Sequence, residues 1–224
     1  AGIGAKLGAV AGVASNVAGR VIDAFKGLAG EIVSASDSAQ KFGSTLQFAG
    51  VSTKQIKALT KSTQDYADKT VYDLNDIRNT TAQLAANGVP NYAKLAEAAG
   101  NLNAVAGGNS DTFKSVAMVL TQTAGAGKLT TENWNQLSDA IPGASGKLQE
   151  AMKKNGAYTG NFRDAMEKGE ISADEFNQAI MQLGMTDAAK EAATSTTTIE
   201  GSLGNLEAAA VKAGMTVLDS VKPM

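Results

Sequence analysis

The sequence predicts an all-α protein, in which a compact multi-helix domain of short helices is flanked by longer, extended or coiled-coil-like helices. Apolar side chains make up 43% of the 224 residues, whereas aromatic side chains make up only 5%. The 24 glycines and an excess of alanine predict a thin core in which helices approach each other closely. Strand-forming residues are sparse, and apolar residues recur at helical spacing through most of the chain.

Residues 1–34 predict one long amphipathic helix with a heptad-like apolar seam. Gly4, Gly8 and Gly12 lie on another face of this helix. Each glycine lowers helix stability by about 0.5–1 kcal/mol, so the helix needs neighbours. It can lie against its own domain or associate with other copies, and the pattern leaves both open. The residues of the predicted self-association seam are Ile3, Leu7, Val10, Val17, Val21 and Leu28.

Residues 35–193 predict a helical domain of roughly ten short helices with recognisable starts and stops. The first helix begins around Ser36 and ends near Gly50. Ser52 and Gln55 have the spacing of a capping box, in which each side chain bonds the other residue's backbone amide. The next two helices are predicted to begin at Asp73 and Asn91 and to end at Asn87-Gly88 and Gly107-Gly108.

The second half of this domain repeats the pattern. Asp111 is predicted to cap one helix and Thr130 or Thr131 the next, which Pro142 and Gly143 stop. The remaining helices are predicted over residues 145–155 and 159–168 and from Ser172, which has Glu175 at capping-box spacing. The predicted domain core consists of Trp134, Leu137, Ile141, Leu148, Phe162, Phe176 and Ile180.

Residues 194–224 begin with a threonine-rich polar stretch that predicts a linker. From Ile199 onward the apolar residues return to near-heptad spacing, which predicts the start of an exit helix. The chain is therefore expected to consist of a compact helical middle with one extended helix entering it and another leaving it.

Charge and composition argue against several classes of function. The formal net charge of −2 argues against a nucleic-acid coat, because binding a phosphate backbone needs clustered Lys and Arg. No specific nucleic-acid binding is expected. The absence of Cys and His removes thiol nucleophiles, the commonest general base and the commonest metal ligand. We therefore predict no catalytic, cofactor-binding or metal-binding residues, and a protein that is not an enzyme.

The stretch AGAGKLTTENWNQLSDAIPG, residues 124–143, superficially matches a phosphate-binding loop because a glycine-rich turn runs into Lys128. A Walker motif needs a glycine five residues before the Gly-Lys pair and a Ser or Thr directly after it. Gln122 and Leu129 occupy these two places. The stretch is therefore interpreted as a hinge between two helices.

Carboxylates between Asp164 and Glu175 raise the question of a calcium loop or of the paired acids of a glycoside hydrolase. A calcium loop needs oxygen ligands at alternating positions, which Ile171 and Ala173 interrupt. A cleft that cleaves sugars is normally lined with aromatic residues, and the chain has one Trp and four Tyr. Solvated helix ends account better for these charges.

An ordered set of short motifs lies within residues 125–183. The stretch GAGKLTTENWNQLSDAIPGASGKLQEAM is followed by NFRDAMEKGEISADEFNQAIMQLG. The order and spacing of these motifs resemble the tape measure domain of tailed-bacteriophage tail length tape-measure proteins, over about residues 35–215. The matching features are the turn at Gly127-Lys128, the break at Ile141-Pro142-Gly143, the turn at residues 169–172 and the pair Glu175-Phe176.

The resemblance implies a structural protein whose helical body sets tail length and organises assembly of the tail and tail tip. The implied partners are other copies of the chain as a trimer or hexamer, the tail tube protein, tail-tip or baseplate proteins and a tail assembly chaperone. The implied location is the virion, in the tail lumen or at the tail tip, after assembly in the host cytoplasm. Release during DNA ejection is also expected, and no cofactor is implied.

Two other functions stay open at this point. The glycine spacing at the start of the chain suggests a membrane-active helical protein that forms a channel or anchors in the host envelope. The longest uncharged run there, residues 7–19, is shorter than the ~20 residues that span a bilayer. Contact with the host membrane is nevertheless compatible with a tail protein. A cell-wall hydrolase domain is the second alternative, which the absence of His disfavours.

Overall fold

The computed structural model describes residues 37–195, which form ten α-helices joined by short links. The all-α prediction is confirmed. The long helices predicted over residues 1–34 and beyond Ile199 lie outside the described residues. The helices are α1 (Asp37–Phe48), α2 (Thr53–Ala67), α3 (Leu74–Ala86), α4 (Tyr92–Val105), α5 (Ser110–Ala126), α6 (Thr131–Ala140), α7 (Pro142–Lys154), α8 (Phe162–Glu167), α9 (Ala173–Gly184) and α10 (Asp187–Thr194).

Several helices begin where the sequence predicts a cap. The Ser52 hydroxyl accepts a hydrogen bond from the Gln55 amide, and the Gln55 side chain accepts one from the Ser52 amide at 3.2 Å. The same capping box starts α9 at Ser172 and Glu175. Asp73 caps α3 by accepting from two amides of its first turn. These bonds satisfy backbone amides that have no partner within the helix. The starts of these helices can therefore be predicted from the capping residues in the sequence.

Two helix starts and one additional helix differ from the prediction. Asn109, rather than Asp111, caps α5, because its side chain accepts from the Thr112 amide. Pro142 begins α7 instead of only stopping α6, since proline lacks an amide hydrogen and fits the first position of a helix. Helix α10, which Thr186 caps, is an additional element that the sequence analysis did not identify.

Helix α4 lies at the centre of the described domain. Helices α3, α5, α9 and α10 all pack against it, and its residues 98–103 are buried. Small residues make this approach possible. A Cβ atom added to Gly100 would collide with the Tyr66 hydroxyl, and one added to Gly184 of α9 would collide with the carbonyl oxygen of Ala98.

The apolar side chains form two separate clusters. The larger cluster extends from the end of α2 to α9. The smaller cluster lies between α1, α2 and α3 and consists of Phe42, Leu46, Ile56, Leu59, Ala82 and Ala85. Helices α1 and α2, which we call the N-terminal hairpin, are held to the rest of the domain mainly through α3.

The close approach of α9 to α4 predicts an effect of substituting Gly184. Gly184→Ala should lower the free energy of unfolding by about 1–3 kcal/mol, because the added methyl group forces the two helices apart. Gly146→Ala is the matched control in α7, where an added Cβ meets no atom within 4 Å. The control should stabilise the protein by about 0.5–1 kcal/mol. Chemical denaturation measures both, and equal effects of the two variants would contradict the prediction.

Candidate functional site

A buried hydrogen-bond network runs along α4. The Tyr72 hydroxyl donates to the carbonyl oxygen of Gly100 at 2.6 Å and accepts from Nδ2 of Asn103 at 3.0 Å. Asn103 also donates to the carbonyl oxygen of Asn109 at 2.9 Å, and its Oδ1 accepts from the Thr112 hydroxyl at 2.7 Å. The Asn103 amide is thus satisfied on both sides, although the residue is fully buried. Because an unpaired buried polar group costs about 1–3 kcal/mol, these bonds fix the link between α4 and α5.

A second branch of the network joins α2, α4 and α9. The Tyr66 hydroxyl donates to Oδ1 of Asn101 at 2.9 Å, and Nδ2 of Asn101 donates to the carbonyl oxygen of Gly184 at 3.0 Å. The rings of Tyr66 and Tyr72 have centroids 6.3 Å apart, and the Tyr72 ring lies 4.4 Å from that of Phe113. The two branches therefore meet at Tyr66 and Tyr72, which both lie against Gly100 near the centre of α4.

Both tyrosines are held in the neutral form. Burial raises the pKa of Tyr72 to about 12, and the hydrogen bond from Asn103 offsets part of that rise. Burial raises the pKa of Tyr66 well above its ordinary value of 10.0, with smaller contributions from Tyr72 and Glu97. The phenols therefore act as neutral donors at neutral pH, and the network carries no charge.

Arg78 is a buried cation beneath the N-terminal hairpin. Its Nε donates to the Thr63 hydroxyl and its Nη2 to the Thr60 carbonyl oxygen, both at 3.2 Å. The guanidinium carbon lies 5.5 Å from the centroid of the Phe42 ring. No carboxylate within residues 37–195 forms an ion pair with Arg78. Burial lowers the pKa of Arg78 to about 10, because only neutral groups replace the water that the charge has lost.

The glycine-rich turn after α5 does not form a phosphate cradle. Gly127 has a left-handed φ of 72° and ends the helix, with its amide donating to the Thr123 carbonyl oxygen at 2.9 Å. The Leu129 amide donates to the Ile171 carbonyl oxygen at 2.9 Å. Amides that a phosphate would need are thus already used. The turn joins two helices as predicted, and a short antiparallel bridge fixes it to the link before α9.

The residues of the predicted core lie in the larger apolar cluster. Trp134 packs edge-on against Phe162 with ring centroids 4.7 Å apart, and the Tyr158 ring lies 5.2 Å from Phe162. The structure buries Trp134, Leu137, Ile141, Leu148, Phe162, Phe176 and Ile180, each with 8% or less of its surface exposed. The predicted seam of Ile3, Leu7, Val10, Val17, Val21 and Leu28 lies outside the described residues.

The carboxylates between Asp164 and Glu175 lie on the surface at the ends of α8 and α9. Glu175 completes the cap of α9, and Glu167 and Glu170 are exposed. Within residues 37–195 no cluster of three or more Asp, Glu, His or Cys residues is placed to hold a metal ion. In that same part of the chain, none of the helices has the length and apolar character needed to cross a membrane.

The buried network was not predicted from the sequence. The indication in the sequence was the presence of Asn101 and Asn103 in the run from Leu95 to Val105, where Glu97 is the only other polar side chain. Buried amide side chains are almost always hydrogen-bonded, so two of them on a helix that is buried on most sides indicate polar partners. Those partners come from residues 66, 72 and 112, and the sequence alone does not reveal that the fold brings them together.

Comparisons with known proteins agree on one family. The sequence model of the family described as "Tape measure protein" matches residues 30–216. The chain is 27% identical over 179 residues to the "Probable tape measure protein" of Lactococcus phage p2, and equally similar to that of Lactococcus phage SK1. Each match covers 77% of this chain and 18% of the relative. The "Tape measure protein" of Lactococcus phage F4-1 is 29% identical over 131 residues, which cover 53% of this chain and 36% of the relative. No solved structure matches the chain.

The network predicts that Tyr72 contributes to stability in a pH-dependent way. Tyr72→Phe should lower the free energy of unfolding by about 1–3 kcal/mol at pH 7, because the Gly100 carbonyl and the Asn103 amide each lose a partner. Tyr158→Phe is the matched control, since that hydroxyl makes one longer bond of 3.2 Å to the Gln149 carbonyl oxygen. The control should cost less than about 1 kcal/mol.

The contribution of Tyr72 to the free energy of unfolding should decrease at high pH. The folded pKa of Tyr72, about 12, lies above the unfolded value of 10.0, so its contribution is complete below pH 10 and falls as the pH rises towards 12. In this window the Tyr72 contribution falls by up to about 1.4 kcal/mol per pH unit. The difference between wild type and Tyr72→Phe should therefore shrink in this window. A difference that stays constant would contradict the account.

Replacing Arg78 by an apolar residue should not lower the free energy of unfolding, in contrast to replacing Tyr72. Arg78→Met should leave the free energy of unfolding unchanged or raise it, because a buried charge without an ionic partner is replaced by an apolar chain of similar length. The Thr63 hydroxyl stays bonded to the Leu59 carbonyl oxygen at 2.7 Å. Arg78→Ala, which leaves a cavity, is the control and should destabilise the protein. A loss of more than about 2 kcal/mol in Arg78→Met would show that the cation itself stabilises the fold.

Proposed function

The chain belongs to the tape measure protein family, and we propose that it is the folded part of a structural protein that sets the length of a bacteriophage tail. The family match over residues 30–216 is the observation that carries this proposal. The chain spans 18% of the length of the p2 and SK1 relatives. Its role is therefore proposed as that of one domain within a longer protein.

In this proposal, the compact domain and the part that sets tail length are two separate segments of the protein. An α-helix rises 1.5 Å per residue, so an extended helix converts residue number directly into distance. The helices of residues 37–195 are short and fold back on one another, which makes this part a docking or assembly module. We assign the extension to helices that enter through residues 1–34 and leave through residues 194–224, with residues 35–193 as the domain between them.

Association with other copies is assigned to the apolar seam of the entering helix. Residues such as Leu7, Val10 and Val17 lie at heptad-like spacing, and a helix this rich in glycine needs neighbours to be stable. The proposed partners are other copies as a trimer or hexamer, the tail tube protein, tail-tip proteins and an assembly chaperone. The proposed location is the tail lumen or the tail tip, with release during DNA ejection.

A structural role also fits the side chains of the described domain. The buried Tyr66, Tyr72, Asn101 and Asn103 hold helices together, and the carboxylates between Asp164 and Glu175 lie at helix ends. Neither a membrane-active protein nor a cell-wall hydrolase is favoured by the family match. We therefore propose that the chain acts through assembly and has no catalytic activity.

The proposal predicts how tail length responds to the protein's own length. Duplicating 20 residues of predicted helix outside residues 37–195 in the full-length protein should lengthen the tail by about 30 Å. Electron microscopy of phage tails measures this change. The control is a 20-residue insertion at Gly156, an exposed left-handed glycine in the link before α8, which should leave tail length unchanged. Tails of wild-type length after the helix duplication would contradict the proposal.

A further inference from the structure

The N-terminal hairpin carries a net positive charge, because its four lysines outnumber Asp37 and Asp65. Residues 38–64 contain four lysines and no Asp or Glu, in a chain whose formal net charge is −2. The four lysines are Lys41, Lys54, Lys57 and Lys61, and all are exposed. Lys61 is paired with Asp65 one turn further along α2. Lys54 and Lys57 lie in the first turns of α2, next to the link from α1, whereas Lys41 lies in the first half of α1.

An exposed aromatic ring ends the helix that precedes Lys54 and Lys57. Phe48 at the end of α1 is 87% exposed, whereas the other phenylalanines of residues 37–195 are buried. Its position in the helix explains the exposure, because the buried stripe of α1 runs through Ala39, Phe42 and Leu46. Val51, rather than Phe48, packs on the small apolar cluster from the following turn. We call Phe48, Lys54 and Lys57 the basic tip.

A surface of opposite charge lies on a different part of the domain. Asp164, Glu167, Glu170 and Asp174, on α8 and at the start of α9, are all exposed. None of them forms an ion pair within residues 37–195. With Glu175 they outnumber Arg163 and Lys168, which gives residues 161–178 a formal charge of −3. We call the first four the acidic face.

We propose that the basic tip of one copy of this chain docks on the acidic face of a second copy. The hairpin packs mainly on α3, whereas α8 packs on α6, and α9 packs on α4, α5 and α7, so the two surfaces belong to different parts of one molecule. Such a contact is heterologous and can close into a ring of copies. It rests on the self-association in the proposed function and adds a second surface to the apolar seam.

The charge pattern favours a second copy over other occupants. Two basic tips repel each other, so a symmetric contact between hairpins is disfavoured. Single-stranded nucleic acid is bound by several aromatic rings that stack successive bases, and the tip offers one. Charges at the rim of an interface chiefly raise the association rate and make the affinity dependent on salt.

Charge reversal on the intact 224-residue chain tests this contact by sedimentation velocity at low salt. Lys54→Glu with Lys57→Glu should weaken association at least tenfold, and so should Glu167→Lys with Glu170→Lys. An equimolar mixture of these two double variants should restore it, because each reversed surface then meets a complementary one. Lys147→Glu with Lys153→Glu on α7 is the matched control, with the same change in net charge at two exposed positions. It should associate like wild type.

Phe48→Ser should weaken association without lowering the melting temperature, because the ring contributes little to the fold. Failure of the mixture to restore association, or unchanged association in both double variants, would overturn the proposal. Leu7→Lys with Val10→Lys tests the apolar seam separately. If only this variant loses association, the contact between the basic tip and the acidic face is overturned, but the proposed function stands. Binding of a labelled single-stranded 20-mer that requires Lys54 and Lys57, with association unchanged, would assign the tip to nucleic acid instead.

Discussion

The approach of α9 to α4 at Gly184 is the contact on which the arrangement of the described helices depends. Because Gly184 has no side chain, its backbone can lie against the carbonyl of Ala98, and its own carbonyl oxygen accepts from Asn101 at 3.0 Å. The same turn directs the chain into α10, which also packs on α4. A helix surrounded in this way must be lined with small residues, and the alanines and glycine of residues 98–100 meet that requirement.

Buried polar groups play two different parts in the domain. The network of Tyr66, Tyr72, Asn101 and Asn103 is neutral and well paired, so it can specify which helices meet at little electrostatic cost. Arg78 is charged and is held by neutral oxygens and an aromatic ring. The main cluster is therefore fixed by complementary hydrogen bonds. The smaller cluster under the N-terminal hairpin lies next to the charge of Arg78, whose removal from water costs free energy.

Local chemistry made much of the fold predictable. The boxes at Ser52 and Ser172 and the cap at Asp73 depend on residues within one turn of each other, so the sequence displays them directly. The cap of α5 was misplaced because Asn109 and Asp111 are both good cap residues and the choice depends on the bond that the Asn103 side chain donates to the Asn109 carbonyl oxygen. Burial of Arg78 and the partners of Asn101 depend on contacts distant in sequence. No local pattern reports such contacts.

The order of the helices also determines how the domain would carry mechanical load. The first described helix, α1, packs on α3, the last, α10, packs on α4, and α3 and α4 pack on each other. Helices α5 to α9 thus come between α4 and α10 in sequence, although α4 and α10 pack on each other. Tension applied at both ends of residues 37–195 would pass through α1, α3, α4 and α10, so the contacts between these helices would shear first. The aromatic core around Trp134 would be shielded until the outer helices had peeled away.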